Sequence, residues 1–268
     1  MFTTGGPSVR ELAVQALSSV ERGYDLLAPT FDHTPFRTPD RMLDAVEETL
    51  AQREGSFGAG LDLCCGTGAG TGMLRRLCRE RVTGVDLSAG MLAAAHRAHP
   101  GSGESDGRDG DLGVGRAVGR DDGPPAPEFV RADALALPAA LDGAFDLAVS
   151  FGAFGHFLPA ERPALFAGAH RVLRPGGLFA FPIGAPLPPT SALWWLTAGF
   201  DAAMRVRNAV WRPPFVMYYR TFPFGGVRAD LVAAGFTVET APLEHFGRRP
   251  GDGTPHWRLV LARKDRTA

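Results

Sequence analysis

The chain has 268 residues, 45% of them apolar, and a formal net charge of −1 at pH 7. This length suits one α/β domain with additions, or one domain and a small cap, with enough apolar residues for a sizeable core. Because the net charge is close to zero, no overall field draws nucleic acid or an anionic membrane to the surface. We therefore predict no nucleic-acid partner and no membrane partner.

Disulfides, membrane anchors and metals are also not expected. The first residues lack the basic start and apolar core of a signal peptide, and no run approaches the ~20 apolar residues of a membrane span. Three cysteines, Cys64, Cys65 and Cys78, cannot build a disulfide framework. His96 and His99 have no third ligand nearby, so we interpret them as a solvated helix face and expect no metal. We expect a cytoplasmic protein.

The N-terminal part, residues 1–56, is predicted to be a helical cap. Apolar residues recur at helical spacing over 7–22 and again over 39–53. A predicted loop carrying Tyr24 and Phe31 joins the two helices. Because both helices precede the first strand, we expect them to fold over the ligand edge of the domain that follows.

From residue 57 to residue 268, strands and helices alternate, which predicts one parallel sheet with right-handed crossovers. The predicted strands cover 58–63, 81–86, 127–131, 145–150, 177–183, 236–241 and 256–263. The predicted helices cover 69–80, 88–98, 160–173 and 225–234. Ser88 is the predicted N-cap of the second of these helices, and the Pro-Gly-Gly run at 175–177 is predicted to end the third.

Two insertions interrupt this alternation. Residues 100–127 are rich in Gly, Asp, Pro and Arg without periodicity, so we predict a disordered surface insertion. Residues 184–224 hold Trp194, Trp195, Trp211, Tyr218 and Tyr219, with a helix predicted from 191 to 211. We interpret this aromatic insertion as a lid over an apolar substrate pocket. A dimer interface is the alternative, and one surface can serve both.

Glycines cluster directly after the first predicted strand, in residues 60–70 (GLDLCCGTGAG), and Asp86 ends the next strand. Glycines let backbone approach a ligand closely, and a carboxylate at the next strand end accepts hydrogen bonds from a ribose diol. The dinucleotide fingerprint fails, because its third glycine position holds Thr71 or Met73, depending on the register. The Gly-Lys-Ser/Thr pattern of a phosphate-binding loop is absent from the sequence.

The stretch instead resembles motif I of the class I S-adenosylmethionine-dependent methyltransferases, acidic-x-Gly-x-Gly-x-Gly, with Asp62 as the acid and Cys64 replacing the first glycine. Later segments match that family in order: the acid at 86 with a helix start at 88–92, the adenine-binding turn at 131–134, the fourth strand at 145–150, and the helix-to-strand turn at 171–177. The resemblance covers roughly 58–183, with a tail at 231–262. It implies a Rossmann-like, doubly wound, seven-stranded sheet, mostly parallel with strand seven antiparallel.

The resemblance also implies the cofactor, S-adenosyl-L-methionine, and the residues that bind it. Asp86 matches the acid on the ribose hydroxyls, and Asp133 matches the aspartate that takes the adenine amine. Ligands in such sheets lie beyond the carboxyl ends of the strands. The predicted cofactor-binding residues are Asp62, Cys64, Gly66, Gly68, Asp86, Leu87, Met91, Asp133, Ala134 and Ser150.

Methyl transfer needs proximity, alignment and water exclusion, and a general base only for some acceptors. His156 is the candidate base, because it follows the fourth strand, where substrate meets cofactor. The alternative is a structural histidine that bonds a backbone group. The predicted substrate-binding residues are Tyr24, Phe31, Phe154, Trp195, Tyr218 and Tyr219.

The predicted function is transfer of a methyl group to a moderately apolar small molecule, such as a secondary metabolite or a quinone precursor, with O-, N- and C-methylation left open. No Asn/Asp-Pro-Pro-aromatic motif follows the fourth strand, which argues against methylation of amino-adenine in nucleic acid. A homodimer is one interpretation of the aromatic insertion. The alternative function is a catalytically silent cofactor-binding protein that acts through that insertion.

Overall fold

The computed structural model describes residues 17–34, 36–101, 103–106 and 125–266. The α-helices are α1 (Val20–Leu27), α2 (Asp40–Glu54), α3 (Ala69–Leu77), α4 (Ala89–Ala98), α5 (Arg162–Val172), α6 (Ala192–Val210) and α7 (Phe224–Ala233). The strands are β1 (Phe57–Leu63), β2 (Cys78–Asp86), β3 (Gly103–Asp106), β4 (Pro127–Arg131), β5 (Phe145–Val149), β6 (Leu173–Gly184), β7 (Phe236–Pro242) and β8 (Trp257–Lys264). Short 3-10 helices cover Ala28–His33, Ala139–Leu141, Phe154–His156 and Glu244–Phe246.

The strands form one sheet in the order β3-β4-β2-β1-β5-β6-β8-β7. β8 runs antiparallel to its neighbours β6 and β7, and the other neighbouring pairs are parallel. This confirms the predicted Rossmann-like, doubly wound sheet with an antiparallel last strand. The chain winds outward in opposite directions from β1 and β5, so the crevice between their carboxyl ends is the position where such sheets bind ligands.

One strand was not expected. The described sheet has eight strands rather than seven, because β3 pairs in parallel with β4 at the sheet edge. The prediction of disorder over 100–127 is therefore wrong for residues 103–106, whose backbone groups find partners in β4 although their sequence has no apolar periodicity. Residues 107–124 lie outside the described part of the chain.

The N-terminal segment differs from its prediction. The predicted helix over 7–22 falls mostly outside the described residues, and α1 begins at Val20, where the Ser19 Oγ accepts the Arg22 N–H at 3.2 Å. The predicted loop is wrong, because Tyr24 lies within α1 and Phe31 lies in the 3-10 helix that follows. A serine N-cap explains where α1 starts.

The other elements agree with their predictions apart from their ends. Ser88 caps α4 by accepting the Met91 N–H, and Ser191 caps α6 by accepting the Trp194 N–H, both at 3.1 Å. The predicted turn at 171–177 is wrong in detail, because β6 starts directly after α5 and takes in the Pro-Gly-Gly run. Gly176 adopts φ +83°, and the pairing of β5 with β6 is irregular here, so these residues form a distorted strand start.

Buried apolar side chains cover both faces of the sheet. One cluster packs α5 and α7 against residues such as Phe179, and the other packs α2 and α3 against residues such as Leu178. Neighbouring strand residues point to opposite faces, so these two clusters lie on opposite sides. No helix among the described residues is long and apolar enough to cross a membrane.

Candidate active site

A cavity of about 740 Å³ lies beyond the carboxyl ends of β1, β2, β4 and β5. We call the part built by the strand ends and the loops after β1, β2 and β4 the motif wall. Its residues are Asp62, Cys64, Cys65, Gly66, Thr67, Ala69, Gly70, Val85, Asp86, Leu87, Met91, Ala132, Asp133, Ala134 and Leu135. The remaining part, the aromatic wall, comprises Val20, Tyr24, Phe31, Phe36, Arg37, Thr38, Phe151, Gly152, Ala153, His156, Phe157, Glu161, Val216, Met217 and Tyr219.

The loop between β1 and α3 has left-handed backbone at three positions. Gly66 and Gly68 have φ of +53° and +89°, and Cys64 has φ +60°. Cys64, which stands where motif I has its first glycine, thus adopts a conformation that favours glycine. A Cβ on Gly66 would meet no atom within 4 Å, whereas a Cβ on Gly68 would lie 2.9 Å from the His99 imidazole. Gly66 therefore leaves space at the cavity, while Gly68 serves the packing of α3 against His99 and does not line the cavity.

Asp86 connects two loops of the motif wall. Its Oδ2 accepts the Gly66 N–H and its Oδ1 accepts the Ser88 N–H, both at 2.9 Å. Burial raises the pKa of Asp86, and the backbone N–H groups act in the opposite direction. Each carboxylate oxygen keeps a further acceptor position. The side chain is therefore oriented by the protein and can still accept hydrogen bonds from a ligand.

Asp62 lies deeper, at the end of β1. It is 1% exposed, and its Oδ2 accepts the Thr71 hydroxyl at 2.9 Å. Burial raises its pKa to about 7, although the hydrogen bonds from Thr71 lower it. A carboxyl with such a pKa is poised to ionise when a positive charge is brought next to it.

Most other predicted cofactor residues also line the cavity. Leu87 is 41% exposed and lines the cavity, so its apolar surface is open to a ligand. Met91 and Ala134 lie in the same wall, and Asp133 is oriented by the Leu135 N–H, which its Oδ1 accepts at 2.9 Å. Ser150 does not line the cavity. It is buried, and its Oγ has no hydrogen-bond partner within the described part of the chain.

His156 contacts both a backbone group and a cavity side chain. Its Nδ1 donates to the Val216 carbonyl at 2.7 Å, so its Nε2 accepts the Tyr24 hydroxyl at 2.7 Å. Burial lowers the pKa of His156. The imidazole lines the cavity and also bonds a backbone carbonyl of the aromatic insertion, and its role as a base stays a prediction.

The structure divides the six predicted substrate-binding residues into two groups. Tyr24, Phe31 and Tyr219 line the aromatic wall. Phe154 instead packs in the core, with its ring centroid 4.7 Å from both Phe181 and Phe222. Tyr218 is buried and accepts the Asn208 Nδ2 at 3.1 Å, and Trp195 is 66% exposed on α6. These last three do not line the cavity, because an aromatic-rich segment does not reveal which ring faces inward.

Several lining residues were missed. Phe151 and Gly152 directly follow β5, so the rule that ligands lie at strand ends could have found them. Val216 and Met217 are neighbours of the predicted tyrosines. No local pattern points to Phe36, because its position depends on how the N-terminal segment folds over the sheet.

Hydrogen bonds attach this N-terminal segment to the motif wall. Asp25 accepts the Ser88 hydroxyl at 2.6 Å and the Gly90 N–H at 2.9 Å. Asp32 accepts the Thr67 hydroxyl at 2.7 Å. These contacts join the segment that carries Tyr24 to the loops after β1 and β2, so both walls belong to one structure.

His96 and His99 are not the predicted solvated face. Their rings lie 4.9 and 6.0 Å from the Phe129 ring, and His99 Nε2 hydrogen-bonds the Gly68 carbonyl at 2.9 Å. The apolar Phe129 beneath α4 explains why both imidazoles pack inward. Among the residues that the structure describes, no group of three or more His, Cys, Asp or Glu could hold a metal ion.

Comparison with known proteins gives the class. Residues 61–181 match a family model described as a methyltransferase domain. An O-methyltransferase family protein from Burkholderia thailandensis has a TM-score of 0.60 at 19% identity, over 96% of this chain and 66% of that one. DhpI in complex with S-adenosylhomocysteine (SAH) has a TM-score of 0.59 at 19% identity, over 96% of this chain and 99% of that one. Magnesium protoporphyrin IX methyltransferase from Synechocystis PCC 6803 with bound SAH has a TM-score of 0.52 at 17% identity, over 84% of this chain and 82% of that one.

Residues 61–181 therefore match a methyltransferase domain, and the fold is the Rossmann-like methyltransferase fold that the motifs predict. Two of these neighbours, DhpI and the Synechocystis enzyme, are solved with bound SAH, the demethylated form of the cofactor that the motifs of this chain predict. The solved structures, all below 25% identity, establish the fold. No protein of curated function matches the sequence.

Proposed function

We propose that the protein transfers the methyl group of S-adenosylmethionine to a small, moderately apolar acceptor bound against the aromatic wall. The observation that supports this most is a single cavity in which the residues of the methyltransferase motifs face aromatic side chains and the Tyr24–His156 pair. A cytoplasmic enzyme that acts on a secondary metabolite or a quinone precursor is the form that the sequence favours.

The motif wall fits the cofactor. The open space at Gly66 leaves room for a ligand against the backbone, and Asp86 is held so that it can accept the two ribose hydroxyls. Leu87 offers an apolar surface to the adenine, and Asp133 offers a carboxylate to its amine. The buried Asp62 is suited to the ammonium group, whose positive charge would favour its ionised form. Gly68 and Ser150 are not part of this proposed contact set.

The aromatic wall fits an apolar acceptor. Phe31, Phe36 and Tyr219 line it together with Met217, and Arg37, which also lines it, is paired with Asp40 at 2.8 Å. Because that pairing offsets the arginine's charge, the wall has little attraction for a polyanion such as nucleic acid. The cofactor must share a cavity of about 740 Å³ with the acceptor, so the acceptor is small.

When bound, S-adenosylmethionine supplies an electrophilic methyl group. The protein contributes position and water exclusion. The N-terminal segment and residues 216–219 close the cavity from two sides, which keeps the acceptor against the motif wall.

Release of SAH during incubation with S-adenosylmethionine and a panel of small apolar phenols, amines and carbon acids tests the proposal. We expect turnover of at least one acceptor class, reduced about 10- to 100-fold in Asp86→Asn through weaker cofactor binding. Asp252→Asn is the matched control, because Asp252 lies on an exposed turn, does not line the cavity and accepts the Thr254 N–H. Equal activity in both variants would contradict the assignment of Asp86.

The second candidate, a catalytically silent cofactor-binding protein, is favoured by one observation. Helix α6 exposes large apolar side chains, with Trp195, Leu196 and Val210 at 66%, 69% and 78% exposure. Exposed apolar patches mark contact surfaces, which also keeps the homodimer as a proposal. SAH binding without turnover of any acceptor would favour this candidate over the enzyme.

A further inference from the structure

Tyr24 and His156 form a hydrogen-bonded pair whose proton positions follow from its partners. A carbonyl oxygen only accepts hydrogen bonds, so the Val216 carbonyl at 2.7 Å places the imidazole proton on Nδ1. Nε2 then carries a lone pair and accepts the Tyr24 O–H at 2.7 Å. Both ring nitrogens of His156 are thus engaged. The Tyr24 oxygen, which keeps an acceptor position, is the atom of the pair that can meet a ligand.

The surroundings keep this pair neutral. Burial raises the pKa of Tyr24, and the nearby Asp86 carboxyl raises it further. Burial lowers the pKa of His156. At neutral pH the phenol therefore keeps its proton and the imidazole keeps its lone pair, which is the state that can take up one more proton.

Two segments that are distant in sequence hold the pair together. Helix α1 brings Tyr24, and Asp25 beside it is fixed by Ser88 and Gly90. On the other side, the Tyr218 N–H bonds the Gly155 carbonyl at 2.8 Å, next to the Val216–His156 bond. A Cβ on Gly155 would lie 2.9 Å from the backbone carbonyl oxygen of Tyr218. The close approach of these two backbone segments therefore requires glycine at 155. The pair is complete only when the N-terminal segment and the aromatic insertion are both docked.

We propose that Tyr24 and His156 form a proton relay for an acceptor hydroxyl, so that the reaction is the O-methylation of a phenol. This inference rests on the proposed function and names its substrate class. The acceptor oxygen forms the new bond to the methyl carbon, and the carbon–sulfur bond of the methyl donor breaks with its electron pair staying on sulfur. The acceptor proton passes to the Tyr24 oxygen while the phenol proton of Tyr24 passes to His156 Nε2. The imidazolium that results keeps its Nδ1–H on Val216 and later loses the added proton to solvent.

Hydroxyl acceptors need such a relay more than other acceptors do. A neutral amine attacks through its own lone pair and can lose its proton to solvent afterwards, and a carboxylic acid is already ionised at neutral pH. An un-ionised phenol gains from a base that removes its proton as the new bond forms. In the aromatic wall the ring centroids of Phe31 and Tyr24 lie 6.0 Å apart. These rings favour a flat aromatic acceptor next to the Tyr24 oxygen.

In this scheme Tyr24 is the catalytic residue and His156 is a positioning residue that acts through it. The other titratable groups that line the cavity are Arg37, Asp62, Cys64, Cys65, Asp86, Asp133, Glu161 and Tyr219. Turnover of an un-ionised phenol should fall as the pH drops through the lowered pKa of His156. That acidic limb should disappear in His156→Asn, which keeps a donor for Val216 but has no basic nitrogen to take up the Tyr24 proton.

The test uses a series of substituted phenols, from un-ionised to ionised at the assay pH, with anilines and thiophenols of the same shape, and measures SAH. For un-ionised phenols we expect Tyr24→Phe to lower kcat by about 10²- to 10⁴-fold with unchanged cofactor affinity. The loss should shrink as the phenols become ionised, because no proton then needs removal. Tyr218→Phe, which removes a phenol that does not line the cavity, should keep the wild-type dependence.

Three results would overturn the relay: turnover of anilines or thiophenols but not of phenols, no turnover of any phenol by protein that binds the cofactor, or an equal loss for ionised and un-ionised phenols in Tyr24→Phe. The last result would show that Tyr24 has only a structural role. A folded protein that binds neither S-adenosylmethionine nor SAH would instead overturn the proposed function, and with it the relay. Calorimetric titration of the same samples separates these cases.

Discussion

The motif wall and the aromatic wall of the cavity are built from differently spaced parts of the chain. The motif wall takes its residues from 62–91 and 132–135, each at or just after a strand end. The aromatic wall combines 20–38, 151–161 and 216–219, of which only the second follows a strand. The sheet topology alone positions the first wall, whereas the second also needs the N-terminal segment and the aromatic insertion to dock. We therefore expect that cofactor binding and acceptor chemistry can be disturbed separately.

The largest effect should come from Asp62 in the motif wall. Its folded-state pKa, about 7, lies above the ordinary value of 3.8, so the folded state keeps a proton that the unfolded state loses. Stability should therefore fall as the pH rises from about 4 to about 7, by roughly 4 kcal/mol from this group alone. Below that window the Asp62 carboxyl is protonated in both the folded and the unfolded state, so its titration does not change the stability. Above the window it is ionised in both states, and the loss of stability is complete.

Urea unfolding of the wild type and Asp62→Asn at several pH values measures this effect. The free energy of unfolding of the variant minus that of the wild type should increase with pH across the window, because the variant has no proton to lose. A difference that does not change with pH would show that Asp62 titrates normally. No aromatic-wall substitution is expected to reproduce this pH dependence.

Two glycines allow a direct comparison of the walls. A Cβ on Gly70 would lie 2.8 Å from both Asp62 carboxyl oxygens, and one on Gly155 would lie 2.9 Å from the Tyr218 carbonyl oxygen. Each Gly→Ala change should lower the free energy of unfolding by about 1–3 kcal/mol through overpacking. Gly70→Ala should weaken SAH binding, whereas Gly155→Ala should leave SAH binding intact and reduce turnover.

Gly199→Ala is the matched control for these two variants. Gly199 lies within α6, and a Cβ there would meet no atom within 4 Å. The change should raise the free energy of unfolding by about 0.5–1 kcal/mol, because alanine favours helix. If Gly70→Ala and Gly155→Ala had the same effect on SAH binding, the two walls would not be separable.

The smallest effect should come from the contact between the N-terminal segment and the loop after β1. Thr67→Val removes the hydroxyl that Asp32 accepts at 2.7 Å. Loss of this partly buried bond should cost about 1 kcal/mol of stability. Limited proteolysis should cut the N-terminal segment faster in the variant, with the sheet left intact. Unchanged cleavage would show that this bond does not hold the segment.

The same difference between the walls explains how much the sequence predicts. The positions of Gly66 and Asp86 follow from a local strand–glycine–helix–strand pattern, and so do the helix starts at Ser88 and Ser191. The inward face of the aromatic insertion does not, because composition cannot separate Tyr219, which lines the cavity, from Trp195, which faces outward.

Long-range contacts account for the remaining differences. Strand β3 exists through its pairing with β4, a partner that its own residues do not indicate. The bond between Tyr24 and His156 joins residues 132 positions apart. Both residues were predicted to belong to the site, but no local pattern could predict that they touch.

Calorimetric titration with SAH of the wild type, Asp86→Asn and Tyr24→Phe tests the central claim most directly. The account predicts micromolar binding to the wild type, binding at least about 10-fold weaker in Asp86→Asn, and unchanged binding in Tyr24→Phe. A folded wild type that does not bind SAH, or equal weakening in both variants, would contradict the division of the cavity into a cofactor-binding wall and an acceptor-binding wall.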